Sequence, residues 1–154
     1  MTKKFLNIFS HLAFYLCYMQ QAIELLKNHK LRKTPGRIDI LEEFLNSDFA
    51  LSHKDLEITL GNKYDRVTLY RILAGFEETG LIHRVFDGEN TIKYALCSHN
   101  CDSDHHHDDH IHFLCEGCGK TFCLDFDLPE IILPKLYKLK ELNVVAKGLC
   151  ANCS

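Results

Sequence analysis

The chain has 154 residues, enough for one compact domain or two small ones, and 46% hydrophobic residues with few Pro and Gly exclude collagen-like and low-complexity classes. A formal net charge of -3 excludes a role that rests on bulk attraction to phosphate. Residues 20–96 carry 11 Lys/Arg against 12 Asp/Glu and residues 97–154 carry 5 against 9, so any contact with a polyanion depends on local placement of Arg and Lys.

Phe5 to Met19 is apolar and aromatic and follows Lys3 and Lys4, loosely in the manner of a signal sequence. No small-residue cleavage site follows, and no other stretch reaches membrane-spanning length. Residues 1–18 are therefore expected to be an amphipathic helical extension, or to precede a natural start at Met19. Met19 to His29 is predicted helical, with Ala22, Leu25 and Leu26 on one face. Leu31 to Arg37 is a basic turn, and Ile38 to Leu45 a second helix. Ser52 is a predicted N-cap for a third helix, His53 to Leu60, with Asp55 completing a short capping box and Gly61-Asn62 ending it.

Asp65 caps a fourth predicted helix, Arg66 to Glu78. Leu69, Ile72, Leu73 and Phe76 share its inner face and leave Arg66, Thr68 and Arg71 outside, and Gly80 stops it. Leu81 to Phe86 and Thr91 to Leu96 flank Asp87-Gly88-Glu89-Asn90, a hairpin signal. Short helices followed by a hairpin describe a winged helix-turn-helix over residues 19–96, with the fourth helix as DNA reader.

Residues 97–110 read as a hinge and metal loop, whose tract His105-His106-His107-Asp108-Asp109 is expected to be solvated. Residues 111–154 form a second unit with strand-like runs at Ile111 to Leu114, Lys120 to Phe126 and Leu142 to Lys147, and a Pro-bounded segment at Leu128 to Leu133. The unit is too small for much core of its own and is expected to depend on zinc and on a partner subunit. The fold class is α+β: a winged helix-turn-helix followed by a small α/β dimerisation domain with a four-Cys zinc site.

Four of the eight cysteines form two Cys-x2-Cys pairs, Cys115/Cys118 and Cys150/Cys153. Zinc takes four soft ligands in a tetrahedron, and each knuckle supplies two corners, with Gly119 and Gly148 beside them. The competing reading is four unrelated buried thiols. A closed four-thiolate site is structural, and reduced thiolates imply an intracellular, cytoplasmic setting. A second set combines His110-x-His112, both on one face of a strand, with Cys97 at the end of the wing and His83 on its partner strand. Three imidazole nitrogens and a thiolate would make a tetrahedral regulatory site spanning the hinge. The alternative makes His83 a surface wing residue and Cys97 a small buried thiol. Cys17, Cys101 and Cys123 have no evident partners in the sequence.

From about Ala22 to Cys153 the chain resembles the ferric uptake regulator family of bacterial metal-sensing repressors. The resemblance is carried by Arg32-x-Thr34-x-x-Arg37, Thr68-Leu69-Tyr70-Arg71, Gly80-Leu81-Ile82, His110-x-His112-x-x-Cys115-x-x-Cys118-Gly119 and Gly148-Leu149-Cys150-x-x-Cys153. It implies a homodimer bound to an inverted-repeat operator in double-stranded DNA. Tyr70 and Arg71 would meet DNA on the reading helix, and Arg32 would approach the backbone or minor groove. His83, Cys97, His110 and His112 are similar to the regulatory site of the zinc-uptake branch. Ala50 and Ala95 stand where iron and peroxide sensors of the family usually have a His and a carboxylate. A further C-terminal site of the family is poorly matched. Glu130 corresponds to one carboxylate, but Asp109, Ile111 and Leu142 stand at its other positions, and a short stretch between the knuckles implies a reduced dimer helix.

The expected function is thus a zinc-responsive repressor of metal-uptake genes with no membrane association. Iron, manganese or peroxide response is the alternative within the family, and a protein-binding zinc-ribbon adaptor the alternative outside it. No His-Glu-x-x-His, deaminase motif, nucleophile elbow or P-loop supports an enzyme.

Overall fold

The computed structural model describes residues 3–61, 63–88, 91–97, 110–125, 132–139 and 142–154. The His105–Asp109 tract, Cys101, the Glu89-Asn90 wing tip, Asn62 and most of the Leu128 to Leu133 segment, with Glu130, lie outside them.

Helix α1 runs from Lys3 to Asn28 without interruption, so the extension and the first predicted helix are one element. Its Ala22 and Leu26 are fully buried, and His29 Nδ1 lies 2.8 Å from the Thr79 carbonyl oxygen. Helix α2, Pro35–Leu45, begins three residues before the predicted Ile38 because Pro35 supplies a first-turn φ already set for helix. Helix α3, His53–Thr59, has the expected capping box in full. Ser52 Oγ accepts from the Asp55 N–H, and the Asp55 carboxylate accepts from the Ser52 N–H at 2.8 Å. Helix α4 spans Arg66–Glu78 as predicted. Its cap Asp65 accepts from both the backbone N–H and the hydroxyl of Thr68 at 2.8 Å, which holds that carboxyl below its ordinary range.

The inner faces of these helices meet in one apolar core. Ile40, Leu41, Phe44, Leu56, Leu69, Leu73 and Phe76 are buried there with Leu81, Ile82 and Tyr94 of the wing. Each such side chain contributes about 1.5–3 kcal/mol by leaving water. The wing sheet has order β1-β3-β2, with β1 Leu51–Ser52, β2 Ile82–Val85 and β3 Lys93–Leu96. Two-residue β1 carries no periodicity that sequence reading could detect. It forms because Leu51 and Ser52 pair with Tyr94 and Lys93 just before the α3 cap.

The second sheet has order β5-β4-β6. Strand β4, His110–Cys115, pairs antiparallel with β5, Thr121–Asp125, and parallel with β6, Val145–Gly148. Among its described residues only Ile111 to Leu114 and their neighbours supply an interior: Leu114, Cys115, His112 and Thr121 are buried. Among the described residues no helix follows α4. No helix of the described residues is long and apolar enough to cross a membrane.

The two sheets are joined by a buried polar network. The Ala50 N–H donates to the Thr121 carbonyl at 2.7 Å. Lys93 Nζ of β3 sits 2.7 Å from Asp87 Oδ2, 2.9 Å from Thr121 Oγ1 and 3.0 Å from the Gly119 carbonyl. Thr121 Oγ1 itself donates to Asp87 Oδ2 at 2.7 Å, and the Asp87 side chain is fully buried. Removing one member of a buried ion pair leaves an uncompensated charge. Asp87→Ala is therefore expected to lower stability by about 3–5 kcal/mol, measured by urea unfolding of the zinc-loaded protein. An unchanged midpoint would show that the network does not hold the halves together.

Candidate metal centres and nucleic-acid interface

The first knuckle follows directly from the end of β4. Cys115 closes the strand, the chain turns through residues 116–118, and Gly119 takes φ +69, a left-handed conformation that a side chain would oppose. Pairing of Cys115 with Gly148 across β4 and β6 brings the second knuckle alongside. The Sγ atoms of Cys115, Cys118, Cys150 and Cys153 all lie within 4.8 Å of one another, and Cys118 and Cys150 are 3.9 Å apart. A zinc–sulfur distance of about 2.3 Å gives a tetrahedral edge of roughly 3.8 Å, so the thiols fit zinc.

Electrostatics agree with a cation site. The Cys150 N–H donates to Cys115 Sγ at 3.2 Å and brings that thiol down to about 6. Hydrogen bonding with the Cys150 and Cys115 thiols pushes Cys153 up to about 12. Four thiols this close ionise together only with a positive charge among them. Sequence reading passed over Gly117. A Cβ there would stand 3.0 Å from Cys153 Cβ and 3.1 Å from its Sγ. The visible signal was a glycine inside Cys-x2-Cys.

The second cluster spans the two sheets. His83 comes from β2, His110 and His112 from one face of β4, and Cys123 from β5 directly opposite His112. Their ligand atoms lie within 4.8 Å of one another. His110 Nε2 is 3.1 Å from His83 Nε2 and 3.0 Å from His112 Nε2, and Cys123 Sγ is 3.5 Å from His83 Nε2. Tetrahedral zinc gives edges of about 3.3 Å between nitrogens and about 3.5 Å from nitrogen to sulfur. The donors fit a zinc ion held by three imidazoles and one thiolate.

Cys97, the sulfur donor expected from the sequence, adjoins this group, its Sγ 3.6 Å from the other nitrogen of His83, Nδ1. Cys123 joins the cluster as a second sulfur because β5 folds back across β4, a pairing that motif spacing does not display. A cavity of about 200 Å³ beside the cluster is lined by Ala50, Ala95, Ser47 and Asp48.

In the winged helix itself, α4 turns Arg66, Tyr70 and Arg71 to solvent, and Tyr70 is 62% exposed. A groove of about 640 Å³ runs between this face and the wing, lined by His53, Lys54, Arg66, Tyr70, Thr91 and Ile92. Thr68 is half-buried with its hydroxyl engaged by Asp65, so it acts first as part of the helix cap. Arg32 is exposed in the turn before α2, where its carbonyl accepts from Arg37 Nη1 at 3.1 Å.

A winged helix joined to a small sheet, with a thiol cluster in the sheet and an imidazole–thiol cluster between the two, is the architecture of a DNA-binding regulator with two groups of residues that could hold a metal ion. Residues 28–149 match the Ferric uptake regulator family, and the chain belongs to it. Its members are metal-responsive, DNA-binding transcription regulators, not enzymes. The Ferric uptake regulation protein of Staphylococcus epidermidis is 32% identical over 138 residues, covering 86% of this chain and 93% of its own. That of Staphylococcus aureus is 30% identical over 139 residues, covering 86% and 95%. Among solved structures, a zinc uptake regulator complexed with zinc and DNA superposes with a TM-score of 0.60 at 25% identity, covering 87% of this chain and 91% of its own. The Vibrio cholerae ferric uptake regulator shares the fold with a TM-score of 0.53 at 22% identity, covering 82% and 98%.

Gly117→Ala is expected to push the Cys153 corner outward and weaken zinc retention at the four-Cys site by about tenfold or more, a loss of roughly 1.4 kcal/mol per decade. Competition with a chromophoric chelator measures it. Retention equal to the parent would mean the knuckles tolerate a side chain in their centre.

Proposed function

We propose that the protein is a homodimeric, zinc-sensing transcriptional repressor of the cytoplasm, acting on an inverted-repeat operator near metal-uptake genes. In this reading, residues 19–96 bind DNA, residues 97–110 form the hinge and residues 111–154 the dimerisation unit. Cys115, Cys118, Cys150 and Cys153 hold structural zinc. His83, His110, His112 and Cys123 hold the regulatory ion. Arg66, Tyr70 and Arg71, with Thr68 supporting the helix start and Arg32 at the flank, meet DNA.

The observation that carries the reading is the donor set at the inter-sheet cluster: three nitrogens and one sulfur within 4.8 Å of one another, three of their separations at zinc-sized edges. Soft, four-coordinate ligation favours zinc over octahedral manganese or iron. Ala50 and Ala95 bring no donor to the adjacent cavity, whose lining also includes Ser47 and Asp48. The similarity to a zinc uptake regulator bound to zinc and DNA adds to this. The second reading, response to iron, manganese or peroxide, draws on the ferric uptake relatives.

Zinc, when bound, supplies a rigid tie and no reaction. His83 belongs to the wing, and the other three donors belong to the second sheet. Bringing them to one point fixes the angle of the reading helix to the dimerisation unit. In a homodimer that angle sets the spacing of two α4 helices, which must match half-sites one or two helical turns apart. Exposed Ile132, Leu136, Tyr137 and Leu139 offer apolar surface for the partner subunit.

Cys123→Ser and His83→Ala are expected to remove zinc-stimulated operator binding, a loss of about 5–150-fold, while the four-Cys zinc and the dimer persist. Fluorescence anisotropy against buffered free zinc and iron checks this. Activation of the parent by Fe²⁺ at lower free concentration than zinc would favour the second reading. Arg71→Ala and Tyr70→Ala are each expected to weaken specific binding by about 1–3 kcal/mol with metal content unchanged. Undiminished binding in both would remove α4 as the reader.

A further inference from the structure

We infer that Val67 is a specificity-determining residue that reads a thymine of the operator half-site by packing against the C5-methyl of that base. The inference deepens the DNA reading proposed above and rests on it. Successive residues of α4 are rotated by about 100° around its axis. Leu69, Ile72, Leu73 and Phe76 fill the inner arc and are buried. Val67 falls on the far side from Phe76, between Tyr70 and Arg71, which follow it at i+3 and i+4. It is 59% exposed, next to Tyr70 on the outer face. A branched apolar side chain thus occupies the middle of the face that water covers. The core gains nothing from it, and β-branching makes valine a poorer helix former than the straight-chain residues that suit such a position.

The surroundings of Val67 describe a ligand that is anionic along its rim and carries a small apolar group on its edge. Arg66 precedes it, with a side chain 83% exposed even while it pairs with Glu57. Lys54 of α3 and half-exposed Ile92 of the wing line the same groove as Val67 and Tyr70. The DNA major groove matches both requirements. Phosphates border it, and the thymine C5-methyl is the one methyl group that the four bases present on its floor. The residues near the N-terminus of a reading helix are the ones that reach base edges, and Val67 is the second residue of α4. Arginines beside it supply charge and hydrogen bonds, and the valine supplies the apolar contact that they cannot make.

The test uses the zinc-loaded full-length protein. The probe is the duplex that this protein selects from a random-sequence library, with the thymines of one half-site replaced one at a time by uracil, which lacks only the methyl. At one position the parent is expected to bind the uracil duplex about fourfold more weakly, the worth of one methyl group taken out of water. Val67→Ala is expected to bind the thymine and uracil duplexes equally at that position. The change falls on an exposed site and introduces a better helix former, so zinc content and dimer are expected to match the parent. Tyr70→Ala is expected to keep the discrimination at that position, which separates the valine contact from any made by the tyrosine. Discrimination that survives intact in Val67→Ala overturns the inference. So does a parent indifferent to every thymine-to-uracil change, or a selected half-site without thymine. If the duplex is bound and binding still depends on Arg71, such a failure leaves the DNA reading standing. A parent that selects no duplex overturns that reading and the inference together.

Discussion

A largely buried lysine and a fully buried aspartate join the two sheets of this molecule. Lys93 and Asp87 both belong to the wing, yet the lysine spends its remaining hydrogen bonds on Thr121 and the Gly119 carbonyl of the second sheet. Buried charge tolerates little slack, because each partner left unsatisfied costs several kcal/mol. The join is therefore fixed in position, and it lies beside the place where β2 faces β4 and β5. The convergence of His83 with His110, His112 and Cys123 depends on it: a wing docked elsewhere would carry His83 away from the other donors.

Under the proposed reading the two thiol-bearing clusters do different work because of where their donors come from. All four cysteines of the knuckle cluster belong to the sheet that β4 and β6 build, so an ion there would tie that sheet alone. The other cluster takes one donor from the wing, so its occupation would report on the relation between the two sheets. Ligand origin, more than ligand type, separates a staple from a sensor.

Much of the winged helix was legible because its determinants are local. Ser52 with Asp55, and Asp65 before a 3.6-residue apolar period, specify helix starts that the structure reproduces, as does the inner face of α4. Cys-x2-Cys spacing likewise carried the four-Cys cluster. The place of Cys123 beside the histidines was not legible from motif spacing. Cys123 becomes visible only when the knuckle is treated as a hairpin turn, so that Leu114 meets Thr121, Phe113 meets Phe122 and His112 meets Cys123. The Asp87–Lys93–Thr121 network was hidden for the same reason. Asp87 reads as a turn residue, and nothing near it announces a partner 34 positions later.

The uneven distribution of apolar core has a consequence for how the protein is made. The described core draws on residues from Ala22 to Tyr94, all of which leave the ribosome before the first knuckle does. The winged-helix half can thus collapse during synthesis before either knuckle emerges, whereas the second sheet must wait for β6 and Cys150. A nascent chain paused between residue 97 and Cys150 would present a finished α4 with neither a closed knuckle nor a paired β6. Metal supply would then limit the maturation of the second half after translation, and chains made during zinc starvation would accumulate as half-folded substrates for proteases.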